Sequence, residues 1–342
     1  MKVLFDHPAP FALAHGGLQT QIEQTKAGLE RRGVEVEHLR WWDAGQTGQM
    51  IHYWGAPSLS YLKAAREKGL PVVVTYLFTA TCNRSPWQLK IQGVITRALL
   101  ALPGWGGIKN RLHWQSFQVA DRMIVGLEAE RRVLTTVFGL ADERITRVPL
   151  GLHRDFLETG KPSRSESWLI TTGTITNRKR SVELAQLARQ AEVPILFVGK
   201  PYHSDDPYWK EFLALIDDRF VFHRDHVDTR AEMISLLQSS RGFVIYSQYE
   251  NWCLSAHEAA ACGLPLLVPD LPWSRECFAA GASYLDATMT SQNRDTLRTF
   301  YEKCPSLSAP ATQLYSWDEV AGQIEACYQS VLMAGHASHN KT

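Results

Sequence analysis

Short apolar runs alternate along this chain with longer segments whose apolar residues recur at helical spacing. Val3–Phe5, Val34–His38, Ile51–Trp54, Pro71–Tyr76, Arg122–Val125 and Ile145–Val148 read as strands, with Val72, Val73 and Val74 forming a run suited to burial on both faces. Helices are expected between them at Leu18–Arg32, Ser58–Lys68 and Leu127–Phe138, the first two closing at Gly33 and Gly69. The polar, Ser-, Gly- and Pro-containing segment Glu158–Ser167 then reads as a linker.

A second series follows. Trp168–Thr172, Pro194–Val198, Phe220–Phe222, Gly242–Tyr246 and Leu266–Val268 are strand-like, and Val182–Gln190, Tyr208–Asp217, Ala231–Ser239 and Leu254–Cys262 are helix-like. Strands that alternate with helices imply parallel sheets, because each parallel connection must cross over the sheet. The pattern predicts an α/β protein of two Rossmann-like parallel-sheet domains, residues 1–157 and 168–315, facing a central cleft. Ligands of such sheets gather at the carboxyl ends of the strands.

Length and composition agree with two ordinary globular domains. The chain has 342 residues, 45% apolar and 21% charged, and 36 Lys and Arg against 35 acids leave a net charge of +1. That balance gives no reason to expect nucleic acid as a partner. The six cysteines show no CxxC pairing and no zinc-ligand spacing, which suits a reducing compartment. Asp6, His7 and Pro8 cut short any apolar signal region, and Gly93–Ile108 carries Arg97 and Pro103. A cytoplasmic protein is expected, with attachment to the inner face of a membrane left open. Residues 87–114 interleave Trp, Leu and Ile with Lys90, Arg97, Lys109 and Arg111. They read either as a helical insertion packed on the first domain or as a peripheral membrane contact.

Candidate chemistry concentrates in Tyr246–Glu276. Glu250 falls in the loop after a strand and Glu258 inside the following helix. The helix N-terminus near Cys253, Leu254 and Ser255 offers amides and partial positive charge to a phosphate. Alone, two glutamates at this spacing favour a capped helix with solvated carboxylates.

The surrounding residues resemble the group 1 glycosyltransferase family, whose enzymes have the GT-B fold. The resemblance rests on Glu250-Asn251-Trp252-Cys253-Leu254, then Glu258-Ala259, then Gly263-Leu264-Pro265 before an apolar strand. Asn251 and Cys253 stand where the family has glycines. A second match places Gly173 at the family's glycine and Lys179 at its lysine, while Thr174 takes the arginine position. Arg178 and Arg180 are the candidates to replace that arginine. Ala14-His15-Gly16-Gly17 before a helix matches the acceptor-side loop, Val148-Pro149-x-Gly151 a conserved turn, and Val227 lies near the nucleobase-contacting position. His52 matches another family histidine at a strand end, although a lone histidine there is more often structural. The family's Thr-x-His-Asp histidine is absent from Thr75-Tyr76-Leu77-Phe78.

The resemblance implies a retaining glycosyltransferase in surface polysaccharide or glycoconjugate synthesis, using a nucleotide-sugar donor and a glycan or lipid-linked acceptor. It implies Glu250 and Lys179 as catalytic residues, and Glu258, Cys253, Leu254, Ser255, Gly173, Val227 and Arg178 on the donor. Gly16, Gly17 and His52 fall on the acceptor side. No cofactor is expected. No Asp-x-Asp triplet occurs, so a metal-independent reaction is expected. A terminal helix at 316–333 is implied to cross back to the first domain. Two alternatives share these features: a non-catalytic nucleotide-sugar-binding subunit, and a GT-B-like epimerase or phosphorylase.

Overall fold

The structure is a computed structural model that describes residues 1–8, 11, 16–78, 80–102 and 114–339. Ala14 and His15, and residues 103–113 of the 87–114 segment, lie outside the described residues. The chain divides into two compact units. Unit 1 holds Met1–Gly151 with Trp317–Thr342, and unit 2 holds Leu152–Ser316. The division falls at Gly151, and the polar segment Glu158–Ser167 belongs to unit 2.

In unit 1 the order is β1 (Lys2–Asp6), α1 (Gly17–Arg31), β2 (Glu35–His38), β3 (Met50–Trp54), α2 (Leu59–Glu67) and β4 (Val72–Thr75). Then come α3 (Pro86–Ala101), α4 (Trp114–Val119), β5 (Arg122–Val125), α5 (Glu128–Phe138) and β6 (Ile145–Arg147). The six strands run in the order β2-β1-β3-β4-β5-β6, and every pairing is parallel. β3 and β4 are buried along their whole length, as strands covered on both faces must be.

Unit 2 begins with α6 (Arg154–Leu157) and β7 (Leu169–Thr172), then α7 (Ser181–Ala191), β8 (Ile195–Val198), α8 (Pro207–Leu213) and β9 (Val221–Arg224). It continues with α9 (Arg230–Ser239), β10 (Gly242–Val244), α10 (Leu254–Ala261), β11 (Leu266–Pro269), α11 (Pro272–Phe278), β12 (Ser283–Leu285) and α12 (Gln292–Lys303). Its strands are also all parallel, in the order β12-β11-β10-β7-β8-β9. Phe197, Phe212, Tyr246 and Phe300 anchor the core on one side of this sheet.

The last helix, α13 (Trp317–His339), belongs to unit 1 and lies along α1. A Cβ on Gly28 would come within 2.8 Å of Ala321 Cβ, so the two helices touch at small residues. Arg31 and Arg32 bind Asp318 and Glu325 across the same contact. Among the described residues no helix is long and apolar enough to cross a membrane.

Topology sets where each unit can hold a ligand. The chain of unit 2 builds outward from β7 through β8 and β9, then returns to β10 on the other side of β7. The loops leaving β7 and β10 therefore diverge, opening a crevice at their carboxyl ends. The corresponding switch in unit 1 lies between β1 and β3.

Candidate functional site

The loops at the unit 2 switch point carry the residues singled out by sequence. After β7 comes Gly173 at φ +140°, a backbone conformation open in practice to glycine. After β8 comes Gly199, where a Cβ would stand 2.1 Å from the Gly173 carbonyl oxygen. The two loops are in backbone contact, so Gly199 cannot gain a side chain without displacing Gly173. Lys179 folds back over Gly173, where a Cβ would lie 3.5 Å from its Cε. Gly173, Thr174, Lys179, Phe197 and Ile245 line a small pocket there.

From the β10 side, Glu250 enters the same place. One of its carboxylate oxygens accepts from Lys179 Nζ at 2.5 Å and from Arg178 Nη1 at 2.9 Å. The Lys179 and Glu250 side chains are only 15% and 10% exposed. Burial by itself would raise the Glu250 carboxyl, but the charges and hydrogen bonds of Lys179 and Arg178 outweigh it and hold the group below its ordinary value. Arg178 also donates to the Tyr249 carbonyl, and Gln248 bonds to the Asn177 side chain and the Arg178 carbonyl. The two loops are thereby tied into one unit. Arg180 departs from this group. Its backbone is left-handed at φ +52°, which turns its guanidinium to the Ala287 carbonyl and the Tyr246 ring. Of the two arginines considered for the vacant family position, Arg178 is the one beside Lys179.

The helix that follows supplies amides and a second carboxylate. α10 starts after Cys253, whose φ of +60° is the conformation a glycine adopts without cost. A non-glycine residue held there stores about 1–2 kcal/mol. Cys253 is buried, makes no side-chain cap, and its thiol is pushed up to about 11 by burial and by Glu250. Leu254 and Ser255, half-buried, form the first turn, which holds no acidic residue. His257 locks this turn from behind. Its Nδ1 lies 3.1 Å from the Cys253 carbonyl oxygen and its ring stacks on Trp252, while Nε2 is buried with no partner among the described residues. Burial lowers it to about 4, so it is a neutral ring donating from Nδ1.

Glu258 differs from Glu250 in having no counter-charge. Among the described residues no hydrogen bond or ion pair reaches its carboxylate, and burial pushes it up to about 7. A half-buried carboxyl without a partner is costly to ionise, which marks Glu258 as a candidate binding group.

The remaining sequence candidates lie elsewhere. Val227 is buried in the loop after β9, two strands along the sheet from β7. Gly16, at φ +136°, precedes α1, and Gly17 opens that helix with nothing within 4 Å of where its Cβ would be. His52 requires a correction. It is sealed in the unit 1 core, with Nδ1 at 2.5 Å from the Tyr328 hydroxyl, Nε2 at 2.8 Å from Thr75 Oγ1, and its ring stacked on Trp54. Both nitrogens are satisfied and no face meets solvent, so it fastens α13 to β3 and is not open to an acceptor. Gly199 and His257 were not anticipated. A glycine directly after a strand was the available signal for the first, and the i, i+4 spacing from Cys253 for the second.

Two parallel six-stranded sheets, each with its ligand crevice at the switch point, define the GT-B fold of sugar transferases. No family model matches the chain. It is 20% identical over 359 residues to D-inositol 3-phosphate glycosyltransferase 1 from Catenulispora acidiphila, covering 95% of this chain and 80% of the relative. Among solved structures it is similar to sucrose-phosphate synthase from Thermosynechococcus elongatus, at a TM-score of 0.69, 15% identity, and 98% and 100% of the two chains. It is also similar to Anabaena HepE in complex with UDP-glucose, at a TM-score of 0.64, 16% identity, and 96% and 100% coverage. The fold is GT-B, and the chain is glycosyltransferase-like along nearly its whole length.

Proposed function

We propose that this protein is a retaining, metal-independent glycosyltransferase that moves a sugar from a nucleotide sugar to a glycan or lipid-linked acceptor. The observation that carries the reading is the convergence of Lys179, Arg178 and Glu250 at the β7/β10 switch point, beside the open amides of α10 and the unpaired Glu258. As the glycosidic bond breaks, negative charge grows on the departing diphosphate. Lys179, Arg178 and the first-turn amides of α10 meet that charge with dipoles and cations already in position.

Glu250 has two tasks in this account. Without ligand it holds the lysine and arginine in place, and with donor bound it accepts from sugar hydroxyls. Glu258, once ionised, accepts from the ribose diol. Val227 borders the base, and Gly16 and Gly17 are assigned to the acceptor side. UDP is the first nucleotide to test, since the Anabaena relative binds UDP-glucose. The proposed setting is the cytoplasm, in surface polysaccharide or glycoconjugate synthesis.

The test is a thermal-shift screen with UDP, GDP, ADP and their sugars, followed by product analysis with the best donor and a panel of acceptors. Only ligands that bind the native state raise its melting temperature. A shift with one nucleotide sugar, and transfer that Lys179→Ala abolishes, is the expected result. Binding without transfer to any acceptor would indicate a non-catalytic subunit, and free epimerised sugar would indicate an epimerase.

A further inference from the structure

The α3 helix carries an apolar face that is exposed among the described residues of unit 1. Its inner side, Leu89, Gly93 and Thr96, is buried against α5. At Gly93 the contact is so close that a Cβ would stand 2.4 Å from the Thr136 carbonyl oxygen. That fit fixes the rotation of the helix about its axis, so the opposite side cannot roll inward. On the opposite side stand Trp87, Ile91, Val94 and Ile95, all exposed, with Trp87 at 63% and Val94 at 62%. Their spacing of four, seven and eight residues from Trp87 puts them on one stripe. Isolated exposed apolar residues are ordinary, but a continuous stripe marks a contact surface.

Charge selects the occupant. Between Glu67 and Asp121 the sequence contains no acidic residue, while Lys68, Arg84, Lys90, Arg97, Lys109 and Arg111 fall within it. The whole protein is nearly neutral, so this is a local excess and not a general one. Lys90 flanks the stripe on one side, where a long basic side chain can reach toward headgroups as the apolar residues enter the acyl boundary, while Arg97 on the same edge donates to the Thr136 carbonyl. A second copy of the same face would bring like charges together. A helix of 16 residues is also too short to cross a bilayer.

We propose that α3 docks unit 1 on an anionic membrane surface, lying in the plane of the interface with Trp87, Ile91, Val94 and Ile95 inserted. The inference stands on the α3 face and the basic sequence around it, and does not depend on the transferase reading.

The test is co-sedimentation of the full chain with vesicles of phosphatidylcholine alone and of an equal mixture with phosphatidylglycerol. Wild type is expected to sediment with the mixed vesicles, less with the neutral ones, and less again at high salt. The variant W87S/V94E is expected to bind the mixed vesicles at least tenfold more weakly, with an unchanged melting temperature because both positions are exposed. Should that variant melt early, Ile91→Gln/Ile95→Gln gives the same comparison with smaller changes. Wild type remaining in the supernatant with both vesicles would overturn the proposal. So would face variants that sediment like wild type, which would move the contact elsewhere, for example to exposed Trp41 and Trp42. A concentration-dependent dimer in sedimentation velocity, lost in W87S/V94E, would overturn it in favour of a second copy.

Discussion

Replacing Glu258 by glutamine gives a result that a purely structural glutamate would not. In the ligand-free protein this carboxyl sits at about 7 instead of 4.5, with burial as the cause. The folded value lies above the unfolded one, so the native state holds the proton more tightly between the two. The stability contributed by this proton is fully present below the unfolded value and is lost as pH rises through about 7. At 1.36 kcal/mol per unit, ionised Glu258 costs the empty protein at most on the order of 3 kcal/mol above about pH 8, since solvent reaches this half-buried group. Glutamine has nearly the same shape and cannot ionise. Glu258→Gln should therefore melt close to wild type at about pH 5 and higher by at most roughly 6–12 °C at about pH 8, at 2–4 °C per kcal/mol for a domain of this size. Donor affinity should move the other way. Hydrogen bonds to a charged group are worth about 1.5–3 kcal/mol, so the variant should bind its nucleotide sugar at least about tenfold more weakly. Wild-type affinity should rise with pH through about 7, and the variant's should not. Thermal melts across pH with and without donor, together with calorimetric titration, measure all of this. A variant that is less stable at pH 8, or that differs from wild type equally at every pH, would refute the reasoning.

Three other substitutions bear on separate parts of the account. Lys179→Ala should lower the transfer rate by roughly 10²–10³, the usual effect of removing one preorganised group facing developing charge, with a smaller effect on donor binding. Steady-state kinetics on the donor identified by thermal shift would show it. Gly199→Ala forces a methyl into the Gly173 carbonyl, and denaturant unfolding should register a loss of at least about 2 kcal/mol together with weakened nucleotide binding. His52→Ala leaves the Tyr328 and Thr75 hydroxyls without their partner and opens a cavity, so unfolding should show a loss of about 3–5 kcal/mol. Its donor affinity should stay at the wild-type value, and a selective loss of acceptor use without destabilisation would restore His52 to the acceptor side.

The two sheets were legible because parallel strands buried on both faces leave dense β-branched runs such as Val72–Val74. The β12 strand and its neighbours α11 and α12 gave no such signal. Ser283–Leu285 is three residues long and without a β-branched residue. The α8 helix stops at Leu213, before the expected Asp217, because the Asp217 carboxylate accepts from the amides of Arg219, Phe220 and Val221 and turns the chain instead. In the site, the family resemblance picked out Lys179, Glu250 and Glu258, which residue types and spacing alone did not. Direction was not readable. Arg178 and Arg180 are equivalent on paper, and only the left-handed backbone at Arg180 sends that side chain away. His52 sits at the expected strand, but which of its neighbours enclosed it depended on α13, which lies far away in sequence. Of the two readings of residues 87–114, the packed insertion describes the inner side of α3, where Leu89, Gly93 and Thr96 meet α5, and the membrane contact stays a proposal about its exposed outer side.

The most direct measurement is a crystal structure with the nucleotide sugar that gives the largest thermal shift. The account predicts the diphosphate at the β7/β10 switch point, bonded to Lys179, Arg178 and the amides of Leu254 and Ser255, with the ribose on Glu258. A well-ordered donor whose phosphates touch none of these groups would contradict it.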